Sequence, residues 1–254
     1  MDIGVFIFDT DYSINISELA RELEERGYES LFVPEHTHIP TSRRSPFPGG
    51  GELPKQYSHT LDPFVSLGFA AASTKNLKIG TGICLLPQRD PIVTAKSIAS
   101  LDLMSKGRFV LGLGGGWNVD EMENHGVTYK TRFAMMKEHV LAMKSLWVDE
   151  EAEFHGEYIN FDKSWAYPKP VQKPYPPILM GGETDYTLKR VVDYCDGCPS
   201  VNVPVLSKTT TSTSTNCSRA RPLRISKPWL PALVRAAIMA VGTDTRKPVP
   251  RSNI

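Results

Sequence analysis

Apolar and polar positions along the chain follow two alternating rhythms. Ile3 to Phe8 is an apolar run with the character of a buried strand. A polar loop follows. Then Ile16, Leu19, Ala20 and Leu23 fall on one face of a helix over 16–26, and Gly27 stands where such a helix stops. Ser30 to Val33 predicts a second strand, left by a long Pro- and Gly-rich loop that carries Arg43 and Arg44 and runs to Tyr57. Leu61 to Ser73 predicts a helix opened by Asp62-Pro63, and Leu77 to Ile83 a third strand. Pro91 to Met104 predicts a helix closed by Lys106-Gly107, and Phe109 to Leu111 a fourth strand that runs into glycines. Arg132 to Trp147 is helical in pattern, and 154–158 resembles the turn of a small hairpin. The five prolines between Pro168 and Pro177 demand an extended segment. Ile178 to Met180 is a fifth strand, and Thr187 to Tyr194 a helix.

Strand and helix alternate five times, which implies parallel strands with right-handed crossovers. A doubly wound sheet and a (β/α)8 TIM-type barrel both satisfy this, and both bind ligands at the C-terminal ends of their strands. Unusual residues follow several strands at once, which favours the barrel. The rhythm then stops. Residues 201–227 hold ten Ser or Thr, and no apolar run there is backed by a helix. From residue 199 onward nine Lys or Arg face one acid, Asp244. The other 20 basic and 27 acidic residues lie before it, so the first part carries −7 and the tail +8. The expectation is a barrel domain over 1–198 that lacks its last strands, followed by a disordered Ser/Thr-rich basic tail over 199–254. Within that tail, Pro231 to Val241 could form one isolated apolar helix.

The totals exclude some classes. Net charge is +1, no run of about 18 apolar residues offers a membrane span, and the N-terminus lacks a basic and then apolar leader, so a cytoplasmic protein is expected. The tail carries a single aromatic, Trp229, among its nine basic residues, so nucleic acid is not an expected partner. Cys84, Cys195, Cys198 and Cys217 are too few for a disulfide framework. Cys195-Asp-Gly-Cys198 has no second pair to complete a zinc site.

Candidate chemistry gathers at strand ends. Gly112, Gly114, Gly115 and Gly116 follow the fourth strand. A dinucleotide fingerprint begun at Gly112 would need glycine at 117, where Trp117 stands. Glycines kept for close packing, or a ligand loop of another kind, remain. His36-Thr37-His38 leaves the second strand, but the other histidines do not sit at strand ends, and a metal needs three or four converging ligands, so no metal is expected. His36 can instead serve as a proton donor or acceptor in a pocket, with Glu35 beside it to orient it.

Four segments carry a resemblance: Val33 to Pro40, Ile79 to Pro91, Gly107 to Asn118, and Lys169 to Gly182. Taken in order they resemble the bacterial luciferase-like flavin monooxygenase superfamily, most closely its F420-dependent oxidoreductases of actinobacterial type. The resemblance implies a (β/α)8 barrel with coenzyme F420, or alternatively FMN, at its mouth. It implies a cis Gly82-Ile83 bond under the ring. It implies cofactor contacts from Glu35, Gly82, Ile83, Leu85, Gly115, Gly116 and Asp120, a phosphate end at Gly181-Gly182, and His36 as the catalytic residue. Hydride transfer or monooxygenation of a small organic substrate would follow. The choice between monomer and homodimer stays open. Trp117 stands where relatives have an acid, which suggests stacking or packing there. Beyond Cys198 the resemblance ends, as a shifted reading frame near Gly197 would produce. A truncated member that binds its cofactor poorly is the competing reading, and a metal-dependent hydrolase a disfavoured third.

Overall fold

The structure, a computed structural model, describes residues 3–182, 184–198 and 237–240. Five strands run parallel: β1 (Ile3–Phe6), β2 (Ser30–Val33), β3 (Lys78–Thr81), β4 (Phe109–Leu113) and β7 (Ile178–Met180). Between them stand α1 (Ile16–Glu25), α2 (Pro63–Ala72), α3 (Pro91–Met104), α4 (Val119–Asn124) and α5 (Arg132–Val148), and α6 (Asp185–Tyr194) follows β7. A separate antiparallel pair, β5 (Ala152–His155) and β6 (Asn160–Ser164), forms the expected hairpin.

The helix starts form where the sequence places them. The Asp62 carboxylate accepts from the N–H groups of Phe64 and Val65, with Pro63 at the first helical position. Asp90 caps α3 and Asn118 caps α4 in the same way. The strands bury alternate residues. Val5, Leu31, Ile79, Phe109, Leu111, Ile178 and Met180 face outward into a core shared with Leu19 and Leu23 of α1, Leu67 of α2, Ile98 of α3 and Val140 and Met143 of α5. The inner face carries a smaller cluster of Phe32 with Phe6 and Val110. This is the layering of a β/α barrel, with packed helices outside and a narrower filling inside.

The sheet runs β7-β4-β3-β2-β1-β8, where β8 is Ala237–Ala240 and pairs antiparallel with β1. Among the described residues the sheet stays open at β7 and β8. The expectation of one isolated helix over 231–241 is therefore corrected: 237–240 is a strand. The free edge of β1 offers unpaired N–H and C=O groups, and pairing with them overrides the helix preference of an Ala-rich stretch. The rest of the expected disordered tail lies outside the described residues.

Two surface carboxylates act as local clamps. Glu24 of α1 accepts from the N–H groups of Lys75, Asn76 and Leu77, and Glu138 of α5 accepts from those of Glu157, Tyr158 and Ile159. Burial works against the charge on each, but the donated N–H groups prevail and hold both below the usual glutamate range. A depressed folded pKa gives stability that is present above the unfolded value and lost as pH falls through the folded one. Unfolding by urea is expected to become easier as pH drops below the ordinary glutamate range. Replacing both with Gln should flatten that dependence, and an unchanged pH profile in the double variant would refute the assignment.

Candidate functional site

The C-terminal ends of β1 to β4 and β7 meet at one mouth. The peptide Gly82-Ile83, just past β3, is cis, as the resemblance implies. The Ile83 side chain lies between two strand ends: a Cβ on Gly114 would overlap its Cδ1, and one on Gly181 would meet its Cγ2 at 3.0 Å. Gly116 has φ +73, and a side chain there would meet the Met122 methyl at 2.7 Å and Leu85 at 3.5 Å. Ile83, Gly114 and Gly181 thus form one cluster, and Leu85, Gly116 and Met122 another. Gly82 packs against Phe6 and Phe32, and the space beside Gly115 is filled by the Phe133 ring of α5.

Gly182, at φ +120, stands before α6 with Thr187 Oγ1 closest to where its Cβ would be. A phosphate end at Gly181-Gly182, which the resemblance implies, calls for free N–H groups there. The Gly181 N–H instead donates to Leu113 O at 2.8 Å as part of the sheet. Those of Gly115, Gly116 and Gly182 find no acceptor among the described residues.

His36 leaves β2 into this mouth and is 8% exposed. Its Nδ1 lies 2.8 Å from Glu121 Oε2, on a glutamate that is wholly buried at the start of α4. Glu35 does not orient His36, against expectation. Its Oε2 accepts the Leu85 N–H at 2.7 Å, and its Oε1 accepts from Arg89 Nε at 2.5 Å, which ties β2 to the segment after β3. Alternation explains the difference: successive side chains leaving a strand point to opposite sides, so Glu35 and His36 cannot share a partner there.

Asp120 faces the long loop. It accepts from the Ser42 hydroxyl at 2.7 Å and the Arg44 N–H at 3.1 Å, and its carboxyl is held below the usual range by Ser42 first and Arg44 after it. That anchorage brings Phe47 and Tyr57 of the loop to Trp117. The Tyr57 ring centroid lies 5.2 Å from His36, 4.8 Å from Phe8 and 5.3 Å from Phe47, and Trp117 meets His36 edge-on at 5.8 Å. Burial raises the Tyr57 hydroxyl above its ordinary range.

Several groups at the mouth escaped the sequence reading. In sequence Glu121 is one more acid near a helix start, with nothing to tie it to His36. Among the described residues, Asp9 Oδ2, both amide atoms of Gln88, and Asn118 Nδ2 are buried without a partner, and Gln88 lies against Gly116. Such groups invite a ligand with polar edges. Among the described residues, no three His, Cys, Asp or Glu are grouped to hold a metal, and no helix is long and apolar enough to cross a membrane.

A parallel β/α sheet whose strand-end mouth gathers glycines, a cluster of aromatic rings and the buried His36 defines the class: an α/β protein of barrel type, a fold that binds ligands at its strand ends. The family follows from comparison. Residues 1–206 match the model of the luciferase-like monooxygenases, and the chain belongs to that family. An uncharacterised protein of Mycobacterium tuberculosis is 44% identical over 201 residues, covering 78% of this chain and 71% of its own length. An F420-dependent glucose-6-phosphate dehydrogenase of Nakamurella multipartita is 32% identical over 186 residues, 72% of this chain and 50% of that one. The solved structure of an F420-dependent secondary alcohol dehydrogenase in complex with an F420–acetone adduct superposes with a TM-score of 0.62 at 25% identity, covering 77% of this chain and 57% of that one. The chain thus spans only about half the length of these two dehydrogenases.

Proposed function

We propose that this chain is a cofactor-dependent oxidoreductase that holds coenzyme F420, with FMN as the alternative, at the mouth formed by β1 to β4 and β7. The observation that carries the reading is the mouth itself: the cis Gly82-Ile83 peptide, the strand-end glycines packed on Ile83 and Leu85, and the buried His36 lie together at the C-terminal ends of the strands. The residues present fit such a group. The N–H groups of Gly115, Gly116 and Gly182 find no acceptor among the described residues, and Gln88 and Asn118 leave buried polar atoms without a partner there. Gly82, Ile83, Leu85, Gly115 and Gly116 would hold the ring. Gly182, before α6, would face the phosphate end. Glu35 and Asp120 support the walls of the slot through Leu85 and the 41–45 loop.

When bound, a flavin or deazaflavin supplies the two-electron step, by hydride transfer or, with FMN, by activation of oxygen. The chain's own residues do the rest. His36 holds or moves a proton at Nε2, which meets no protein partner among the described residues. Trp117, Tyr57 and Phe47 exclude water and give a small organic substrate an apolar flank.

Fluorescence titration of the full chain with oxidised F420 and with FMN tests this. F420 is expected to bind with a Kd on the order of 10 μM, and FMN roughly tenfold more weakly. Gly116→Val, which at a positive φ drives a side chain against Met122 and Leu85 and displaces the Gly116 N–H, should weaken binding at least about tenfold, or 1.4 kcal/mol. His36→Ala should leave binding within about threefold, because His36 serves the proton and not the affinity. Tighter binding of FMN would reassign the cofactor. Failure of either ligand to bind at about 1 mM, the weak end of measurable affinity, would overturn the proposal in favour of an impaired, truncated family member.

A further inference from the structure

We propose that Glu121 is the positioning residue that fixes the tautomer of His36, with the proton on Nδ1 and Nε2 left bare toward the mouth. The inference rests on the reading of His36 as the proton-handling group.

Glu121 and His36 lie 85 residues apart, yet Oε2 meets Nδ1 at 2.8 Å in a setting where the glutamate is 0% exposed. An ionised carboxylate only accepts, so the imidazole nitrogen facing it must carry the hydrogen. The carboxylate is itself held in orientation. Its Oε1 accepts the Thr37 N–H at 3.2 Å, from the residue next to His36, and the Glu121 N–H is bound to Asn118 Oδ1 at 3.3 Å. Among the described residues no other nearby carboxylate competes for the ring: Glu35 is taken by Arg89 and the Leu85 N–H, and Asp120 by Ser42 and Arg44. The ring is flanked by Tyr57 and Trp117, which pack against it and offer Nδ1 no hydrogen bond. With Nδ1–H committed to Glu121, a neutral His36 has its lone pair on Nε2 and accepts a proton there. The charged ring donates from the same atom.

Thr37 makes the test sharp. In Glu121→Gln the amide oxygen is required at the Thr37 N–H, which turns the amide NH2 toward His36 Nδ1. That group only donates, so Nδ1 must lose its hydrogen and the proton moves to Nε2. The variant should invert the tautomer while keeping the shape of the site.

The measurement is ring-nitrogen NMR on the 15N-histidine-labelled full chain, in the pH range where His36 is neutral. The signal is assigned among the six histidines by its absence in His36→Asn. The wild type is expected to show a protonated Nδ1 and a bare Nε2, and Glu121→Gln the reverse. A wild-type ring protonated at Nε2, a mixture of tautomers, or the same tautomer in both proteins would overturn the proposal. The wild-type spectrum decides even if the variant does not fold. The readout needs no cofactor, so failure to bind F420 or FMN would remove the proposed function without altering the tautomer result.

Discussion

Gly112→Ala is expected to leave no folded protein at room temperature. A Cβ at this position in β4 would lie well under 3.0 Å from Thr81 O, a backbone atom of the neighbouring strand. No rotamer change relieves such a contact, so β3 and β4 would have to part. Their separation also breaks the bonds that close on Gly112 O, from the Thr81 hydroxyl at 2.6 Å and the Cys84 N–H at 2.7 Å. Replacing a strand glycine ordinarily gains roughly 0.5–1 kcal/mol through the unfolded chain. Here that gain is outweighed by a loss of more than about 4 kcal/mol, a large share of a domain's total stability. Gly68→Ala is the matched control: it lies inside α2 with nothing within 4 Å of its Cβ, and should stabilise by about 1 kcal/mol. Urea unfolding of both variants is the measurement. A Gly112→Ala protein that unfolds at the midpoint of the parent would sink the argument.

Glu35→Ala is expected to destabilise by about 3–5 kcal/mol, the range for breaking one partner of a buried ion pair. Glu35 is 2% exposed and Arg89 18% exposed at their side chains. Burial opposes the charge on Arg89, but the Glu35 and Asp62 carboxylates more than offset it and hold the guanidinium firmly charged. Removing Glu35 leaves that cation with only the half-exposed Asp62 and takes the acceptor from the Leu85 N–H. Replacing both partners, as Glu35→Leu with Arg89→Met, should recover at least half of the loss, because no uncompensated buried charge remains. The same carboxylate, with burial as the larger cause, pushes the Cys84 thiol well above its ordinary range, so Cys84 should resist alkylation in the folded parent. A Glu35→Ala protein within 1 kcal/mol of the parent would show that Arg89 finds water or Asp62 enough.

Much of this architecture is legible in local pattern. Asp62-Pro63 opens α2, the Ile16, Leu19 and Leu23 spacing buries one face of α1, and Gly27 takes the positive φ that ends the helix. Each of these rests on contacts within one or two turns of chain, which spacing alone reports. The parallel sheet follows from the alternation of short apolar runs with such helices. The glycine-ended fourth strand and His36 at the end of the second mark the mouth for the same local reason.

What surrounds those residues came from tertiary structure. Neighbours in sequence parted company: Glu35 turned to Arg89 while His36 turned to Glu121, and Asp120 turned to the Ser42 loop while Glu121 turned to His36. Strand alternation and helix phase send adjacent side chains to different places, and only the packed sheet decides what waits there. Gly112 and Gly114 read as one ligand loop, yet one answers to the Thr81 carbonyl and the other to Ile83. The apolar 237–240 stretch reads as helix from its own composition and becomes a strand beside β1, because the free edge of a sheet supplies partners that lie more than 230 residues away. The sequence by itself determined the elements up to α6, the barrel-type layering and the strand ends where a ligand belongs. The tertiary structure decided which carboxylate holds the histidine and which glycines are space for packing. Pairings tens of residues apart depend on register and crossover geometry, which no local pattern encodes.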